Sequence, residues 1–217
     1  MSIAEKLATI AENEQKVYEK GRLDAWNKIT NNNKRVFYTY AYRGMPDGSF
    51  DPPFAVKPQN AEGMFYGSGI KKITSEQLDT SLCTNFPFAF SNSAIEELGV
   101  IDLQNNTNNA SVFSTGSLHT IEKLILSNNG SNLSSALSQT AELINIKIEG
   151  KIGANFNIGG SAKLSYESLM GENGIINALK DYSGTGETRT LTLHASAKAR
   201  LDESDMAIAR QKGWDIV

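Results

Sequence analysis

The chain has 217 residues, of which 40% are hydrophobic and 21% are charged, and its net charge at pH 7 is −3. This length is enough for one ordinary domain with an extension, and it can bury a substantial core. The charge balance excludes the basic surface typical of nucleic-acid-binding proteins, so no nucleic-acid partner is expected. Because Cys83 is the single cysteine, an internal disulfide framework is excluded as well.

The first 30 residues have the pattern of an amphipathic helix. Good helix formers fill most positions between apolar residues that recur at spacings of 4, 3 and 7. These apolar residues are Ile3, Leu7, Ile10 and Val17. Two interpretations remain open: the helix packs on its own domain, or it associates with copies of itself or with a partner through these four residues.

The same N-terminal residues are unlike an export signal. Glu5 and Lys6 stand where the apolar run of a signal peptide would begin. No stretch of the chain approaches eighteen consecutive apolar residues. We therefore expect a protein that is made in the cytoplasm and has no membrane partner.

A strand is predicted at Arg35–Tyr42, which is rich in β-branched and aromatic residues. Turns are predicted after it at Pro46–Ser49 and Asp51–Pro53. Asp47 and Asp51 lie close enough in sequence to suggest a cation site. Turn formation explains both residues more simply, so we favour turns and expect no metal.

A repeat of 23 residues is the most specific feature of the sequence. Five apolar residues of one copy recur in the next at that single spacing: Phe90, Ile95, Leu98, Ile101 and Leu103, then Phe113, Leu118, Ile121, Leu124 and Leu126. An earlier copy precedes the first by 25 residues, with Phe65, Ile70 and Ile73. A later copy follows the second by 22 residues, with Leu143, Ile146 and Ile148. Three to four stacked units are predicted, because one unit cannot bury its apolar face alone.

Each copy has the leucine-rich-repeat spacing, in which three apolar residues precede an asparagine. The asparagines are Asn106 and Asn129, and Lys151 replaces the asparagine in the last copy. We expect the second and third apolar residues to point inward from a short strand and the asparagine to satisfy backbone groups in the next turn. The predicted fold is α/β: a short leucine-rich-repeat solenoid over residues 31–217 with a parallel β-sheet, preceded by the N-terminal helix and closed by a helical and strand cap from about residue 165.

Residues that alternate with the inward positions should form the outer face of this sheet. The candidate binding residues are Asp102, Gln104, Lys123, Ile125, Asn145 and Lys147. The central column of Asp102, Ile125 and Lys147 mixes charged and apolar side chains, as a recognition surface does. An ordinary solvated sheet face explains the same residues equally well.

The C-terminal part of the chain predicts the cap. A helix is predicted at Ile175–Tyr182, with Ser165 as its N-cap if the helix starts early. The remaining predicted elements are, in chain order, a strand at Thr190–Leu193, a capping box at Asp202–Asp205, a helix at Met206–Lys212, a terminating Gly213 and a strand at Trp214–Val217. We expect these elements to belong to the repeat scaffold and not to a separate domain.

No set of residues suggests catalysis. His119 and His194 have no histidine or cysteine at metal-ligand spacing, so we expect surface or hydrogen-bonded scaffold residues. Cys83 has no base near it in sequence and is expected to be a small buried residue. Gly67–Gly69 and Gly184–Gly186 lack the lysine of a phosphate-binding loop. We expect no enzyme activity, no cofactor and no metal site.

The repeats resemble the BspA-like branch of leucine-rich repeats, and the whole chain resembles proteins of this type encoded by phages and prophages of gut Firmicutes. The segments that carry the resemblance, besides the repeats, are Met1–Tyr18, Ile175–Gly184, Leu191–Leu193, Ala207–Ala209 and Lys212–Trp214. The opening segment is similar to one found at the start of various phage structural proteins, which implies a shared docking role. The resemblance implies a virion- or baseplate-associated binding module that contacts a host-surface protein or glycan.

Two other functions remain open at this stage. An intracellular protein–protein interaction module, such as an inhibitor of a host defence enzyme, also suits a small acidic binder. A bacterial surface adhesin is less favoured, because no export signal or anchor is recognised in the sequence.

Overall fold

The computed structural model describes residues 38–48 and 50–217, together with Thr9, Asn13 and Lys16. In its broad sense the predicted α/β class is confirmed, because two parallel sheets are combined with a few short helices. Thr9, Asn13 and Lys16 are helical and exposed. The other residues of the predicted N-terminal helix, including Ile3, Leu7, Ile10 and Val17, lie outside the described residues.

The larger sheet has four parallel strands in sequence order: β1 (Lys72–Ile73), β2 (Glu97–Asp102), β3 (Thr120–Ile125) and β4 (Asn145–Glu149). Its inner face is apolar. Leu98 on β2 pairs with Ile121 on β3, which pairs with Ile146 on β4, and all three side chains are buried. This face therefore covers the core, as the repeat predicts.

A second stack precedes the strands in each repeat, and we call it the turn ribbon: residues 38–45, 61–68, 86–93 and 109–115. Its backbone donors bond alternately to the next repeat and within their own repeat. Gly63 N–H donates to the Pro87 carbonyl of the next repeat at 2.9 Å. Met64 N–H donates to the Ala61 carbonyl of its own repeat at 3.1 Å. The alternation satisfies a buried backbone without forming a strand.

The predicted strand at Arg35–Tyr42 is wrong over its described part, because residues 39–44 are turns of this ribbon. Tyr40 has a φ of 50°, which an extended strand does not allow. Tyr38 and Tyr42 are buried while Tyr40 between them is exposed, whereas a strand would place all three on one face. Tyr38 and Tyr42 therefore belong to the core and not to a pleated sheet.

An aromatic ladder passes through the core beneath the turn ribbon. Its rings belong to Tyr42, Phe65, Phe90 and Phe113, and each stacks on the next. The centroids of Phe65 and Phe90 are 5.4 Å apart, and their planes are within 6° of parallel. In the following repeat the buried Leu137 takes the corresponding place, so the ladder changes from aromatic to aliphatic there.

A column of buried hydroxyl residues runs beside this ladder and comprises Ser68, Ser93, Thr115, Thr140 and Ser161. Thr115 Oγ1 donates to the Ser93 carbonyl at 2.6 Å, and the hydroxyl oxygens of Thr140 and Ser161 are 2.7 Å apart. Buried hydroxyls require partners, so most of this column pairs within itself or with neighbouring carbonyls. These hydrogen bonds connect adjacent repeats within the core.

The last copy of the repeat aligns differently from the prediction. A spacing of 22 residues places Leu124 beside Ile146, but the structure pairs Leu124 with Ile148 and Ile121 with Ile146. The cause is an irregularity in β3, where the interval from Ile121 to Leu124 is one residue longer than the facing interval in β4. Leu143 is buried as well, but it precedes β4.

The predicted role of the asparagine after each strand is wrong for Asn106. Its amide nitrogen and oxygen are buried without a hydrogen-bond partner. The turn is closed instead by Asp102, whose Oδ1 accepts from Gln104 N–H at 2.9 Å. Asn105 Nδ2 also donates to the Ser81 carbonyl of the preceding repeat at 2.9 Å.

The C-terminal part has a three-stranded parallel sheet and four helices within residues 156–216. The strands are β5 (Phe156–Ile158), β6 (Arg189–Leu193) and β7 (Trp214–Ile216), and the helices are α1 (Tyr166–Met170), α2 (Ile175–Ala178), α3 (Ala195–Lys198) and α4 (Glu203–Gln211). Helices α1 and α2 both contact β4. Ile152 bridges to Ser131 on one side and to Leu179 on the other, which continues the parallel stacking into this part.

Two predicted end signals, the capping box and Gly213, are confirmed, but Ser165 caps the separate helix α1 and not the helix predicted at Ile175–Tyr182. The Ser165 side chain caps α1 by accepting from Ser168 N–H. Asp202 and Asp205 form a reciprocal capping box at the start of α4. Gly213 follows α4 with a φ of 78°, the left-handed conformation in which glycine is favoured.

The helix predicted at Ile175–Tyr182 is shorter in the structure and ends at Ala178. Leu179 leaves the helix because it forms the bridge with Ile152. No helix in the described part of the chain combines the length and the apolar character that crossing a bilayer requires.

We expect Phe90→Ala to lower the free energy of unfolding by about 3–5 kcal/mol, because it opens a cavity in the middle of the aromatic ladder. Urea denaturation followed by circular dichroism measures the change. Leu82→Ala is the matched control, since Leu82 is 54% exposed and its loss should cost less than about 0.5 kcal/mol. Equal losses for the two variants would contradict the role of the ladder.

Candidate functional site

The outer face of the four-stranded sheet carries the sequence-predicted binding residues. Apart from Gln104, which is exposed just beyond the end of β2, all of them lie on the strands and are exposed or half-buried. The outer residues of these strands include Val100 and Asp102 on β2, Glu122, Lys123 and Ile125 on β3, and Asn145, Lys147 and Glu149 on β4.

The predicted central column of Asp102, Ile125 and Lys147 is wrong in its last member. Asp102 pairs with Ile125 as expected, but Ile125 pairs with Glu149. Lys147 lies further back, opposite the irregular part of β3. The half-buried Ile125 therefore has an acidic residue beside it on each neighbouring strand, Asp102 on β2 and Glu149 on β4.

Some charges of this face neutralise one another. Lys72 Nζ lies 2.6 Å from Glu97 Oε2, and Lys123 Nζ lies 3.2 Å from Glu149 Oε2. The hydrogen bond and the charge of Glu97 raise the pKa of the Lys72 ammonium. Exposed pairs of this kind add little to stability. Lys147 forms no ion pair with any residue that the structure describes, so its charge is available to a partner.

A cleft of about 230 Å³ opens where β1 ends after two residues. Two hydroxyl side chains replace the missing strand as acceptors for β2. Ser75 Oγ accepts from Val100 N–H at 2.9 Å, and Thr80 Oγ1 accepts from Asp102 N–H at 2.7 Å. Both hydroxyls line the cleft, together with Asp79.

Asp79 serves the structure of this cleft wall. Burial acts to raise the pKa of its carboxyl, but hydrogen bonds from Lys57 and Ser81 outweigh burial and lower that pKa. Lys57 Nζ lies 2.8 Å from Oδ2, and Ser81 N–H donates to Oδ1 at 3.0 Å. The carboxylate is thus ionised at neutral pH and already has partners for both oxygens.

The opposite edge of the sheet is completed in the same way by helix α1. Ser168 Oγ accepts from Ile146 N–H at 3.0 Å and donates to the Ile144 carbonyl at 3.0 Å. Ile148 N–H donates to the Asn173 carbonyl at 2.7 Å. The hydroxyl of Ser168 therefore holds α1 against β4.

A cleft of about 250 Å³, which we call the β4 cleft, lies between β3, β4 and α1. Its charged lining residues are Glu122, Lys147 and Glu167, and its polar ones include Thr120 and Asn145. Within the described part of the chain, none of the three charged side chains forms an ion pair. Charges of both signs without intramolecular partners suit the electrostatic matching by which proteins select a partner.

Sequence reasoning missed Ser75, Thr80, Glu167 and Ser168, because their roles depend on where β1 stops and where α1 docks. One signal for Ser75 was present in the sequence. Gly99 interrupts an apolar strand, and glycine in a strand often marks close approach of another backbone. A Cβ atom at Gly99 would lie 2.6 Å from the Ser75 nitrogen, so a larger residue would displace this wall of the cleft.

The two histidines have different positions. His119 is half-buried on a connection between repeats, and its Nε2 lies 3.9 Å from Glu142 Oε2. A hydrogen bond from Lys163 is the main reason that the pKa of the Glu142 carboxyl is lowered. His194 caps α3, where its Nδ1 accepts from Ser196 N–H at 3.1 Å. Both positions fit the predicted surface or scaffold role.

Asp47 and Cys83 also have structural partners. Asp47 Oδ1 accepts from Gly48 N–H at 3.0 Å and from Lys71 N–H at 3.2 Å, as a turn residue does. Cys83 is buried, as predicted, and burial raises the pKa of its thiol to about 11. Among the residues that the structure describes, no group of three or more His, Cys, Asp or Glu side chains is placed to hold a metal ion.

Comparison of the chain with models of protein families, with curated proteins and with solved structures finds no match.

We expect Ser168→Ala to lower the free energy of unfolding by about 1–3 kcal/mol, because it leaves the buried N–H of Ile146 and the carbonyl of Ile144 without their partner. Thermal and urea unfolding measure the loss. Ser196→Ala, on the exposed side of α3, is the matched control and should change stability by less than about 0.5 kcal/mol. A Ser168→Ala protein as stable as the control would show that the hydroxyl does not hold α1.

We expect Cys83 to resist Ellman's reagent at pH 8 until the protein unfolds, because the thiolate is the reactive form and the thiol has a pKa of about 11. Absorbance of the released thiol product, with and without urea, measures the reaction. The Leu82→Cys variant supplies an exposed thiol at the neighbouring position, and one of its two thiols should react at once. Rapid, complete labelling of the folded wild-type protein would contradict the buried position.

Proposed function

We propose that this chain is a non-catalytic binding module whose repeats form a short leucine-rich-repeat solenoid of the BspA-like type. The observation that carries the proposal is the β4 cleft, where Lys147, Glu122 and Glu167 lack ion-pair partners among the described residues. Among the described residues these charges contribute no ion pair to the folded state. They fit a surface that completes its ion pairs and hydrogen bonds with a second molecule.

Binding is favoured over catalysis by the chemistry of the cleft walls. The hydroxyls of Ser75, Thr80 and Ser168 accept hydrogen bonds from strand N–H groups, so none is oriented by a base as a nucleophile must be. Neither histidine lines either of the two clefts described above. Parallel stacking of similar repeats supports the solenoid, since such stacks create extended surfaces for partners.

We propose further that the module belongs to a phage particle, as a virion or baseplate-associated protein that contacts a host-surface protein or glycan. This part rests on the resemblance of residues 1–18 to the opening of phage structural proteins. In this arrangement the N-terminal segment attaches or oligomerises the chain, and the sheet face is directed outward.

The test for the particle is mass spectrometry of purified virions from an induced lysogen that carries the gene. We expect peptides of this chain at a stoichiometry comparable to that of minor tail proteins. Peptides confined to the soluble lysate would overturn the virion assignment and favour an intracellular interaction module, such as an inhibitor of a host defence enzyme.

The test for the surface is binding of the fluorescently labelled protein to intact host cells. We expect Lys147→Glu to weaken binding at least tenfold, because it places a third negative charge at the β4 cleft. Arg200→Glu is the matched charge reversal, on an exposed residue between α3 and α4. Equal affinity of the wild-type protein and Lys147→Glu would overturn the sheet-face proposal.

A further inference from the structure

Three aromatic side chains lie on successive repeats at the outer side of the turn ribbon: Tyr40, Tyr66 and Phe88. Tyr40 and Phe88 are each 40% exposed. Tyr66, which lies between them in the sequence, is half-buried. The rings of Tyr40 and Tyr66 meet edge to face with centroids 6.1 Å apart. The sequence pattern of the repeat does not reveal this cluster, because Tyr66 does not share the repeat position of Tyr40 and Phe88.

The backbone at two of these residues is unfavourable for a bulky side chain. Tyr40 has a φ of 50° and Phe88 a φ of 56°, in the left-handed region that aromatic residues rarely adopt. The corresponding residue of the repeat between them is Gly63, with a φ of 55°. Glycine therefore fits this repeat position without strain. Tyr40 and Phe88 occupy the same position in the flanking repeats with a strained backbone, and their rings are partly exposed to solvent.

Gly63 also makes room for the first ring. A Cβ atom at this position would lie 2.3 Å from Cε1 of Tyr40, so any larger residue would displace the ring. The ring of Tyr40 thus lies across the neighbouring repeat, over Gly63 and beside Tyr66. Adjacent parallel repeats are about 4.8 Å apart, which separates Tyr40 and Phe88 by about 10 Å along the stack.

Planar polar groups surround the rings. The Arg43 guanidinium lies 5.8 Å from the centre of the Tyr40 ring and 5.3 Å from that of Tyr66. Asn92 Nδ2 donates to the Tyr66 hydroxyl at 2.8 Å. Arg43 has no carboxylate partner among the described residues, and neither has the half-buried Glu62 beside Gly63.

We infer that the turn ribbon carries a second binding surface, on which the rings of Tyr40, Tyr66 and Phe88 stack against the hexopyranose rings of a neutral glycan. The C–H face of a pyranose is weakly positive and packs on the negative face of an aromatic ring. Guanidinium, amide and carboxylate groups match the paired hydroxyls of a sugar, as donors and acceptors in one plane. The spacing along the stack accommodates two linked sugar rings.

This inference rests on the proposed binding function and adds a ligand class at a different side of each repeat. The sheet face and the turn ribbon are formed by separate segments of every repeat, so substitutions on one leave the other unchanged. The two proposals can therefore fail independently.

The test is binding of the full chain to an array that displays neutral and acidic hexose oligosaccharides. We expect neutral oligosaccharides to bind, and Phe88→Gly to reduce that binding at least tenfold. The melting temperature of Phe88→Gly should equal or exceed that of the wild type, because glycine adopts this φ freely. Phe88→Asn, which also tolerates the conformation, should give the same two results. Tyr40→Gly should lose binding as well.

Leu82→Ala, which removes an exposed apolar side chain outside the turn ribbon, and Arg200→Glu, which reverses an exposed charge between α3 and α4, should bind the array like the wild type. The inference is overturned if no neutral glycan on the array binds, or if Phe88→Gly and Phe88→Asn bind as well as the wild type. If no glycan on the array binds but the protein still binds cells through Lys147, only the glycan inference is overturned and the proposed function stands. Loss of cell binding by every form of the protein, including the wild type, would remove the proposed function with it.

Discussion

The molecule depends on one constraint: each segment of the turn ribbon must meet the next repeat in register, so that alternate N–H groups find free carbonyls. The donors that do not cross to the next repeat bond within their own turn, as Met64 does to Ala61. If the register shifted by one residue, N–H groups would face carbonyls that already accept hydrogen bonds. The buried N–H groups left without partners would lower the free energy of unfolding. The aromatic ladder follows from this register, because it brings Phe65, Phe90 and Phe113 into contact.

The same constraint explains why irregularities gather on the sheet side of each repeat. The ribbon fixes where a repeat begins, so extra or missing residues are absorbed in the strands and corners. β1 is short and is completed by the hydroxyls of Ser75 and Thr80, while β4 is completed by Ser168. The two clefts form at these two edges.

The sequence was sufficient to predict that the strands stack, because the five apolar residues that include Leu98 recur 23 residues later in the set that includes Ile121. It was insufficient for Tyr40, since aromatic composition favours a strand and does not reveal a positive φ. The sequence also did not predict the register of β4 against β3. Leu143, Ile146 and Ile148 are all buried and fit the apolar spacing, and only strand pairing shows which of them lies beside Ile121. The sequence placed the candidate binding residues on the sheet face. It did not show which residues of β3 lie beside Lys147, because that depends on the pairing of β3 with β4.

The unequal strands have a consequence for assembly. Proteins built from similar repeats are prone to pair a repeat with the wrong neighbour, or with the same repeat of another molecule, during folding. β2 and β3 share the longer interval between inward residues, whereas β4 has the shorter one. A repeat placed at the wrong junction would turn an inward side chain toward solvent beyond the mismatch. The unequal intervals of β3 and β4 thus distinguish the junction between these two strands from the junction between β2 and β3.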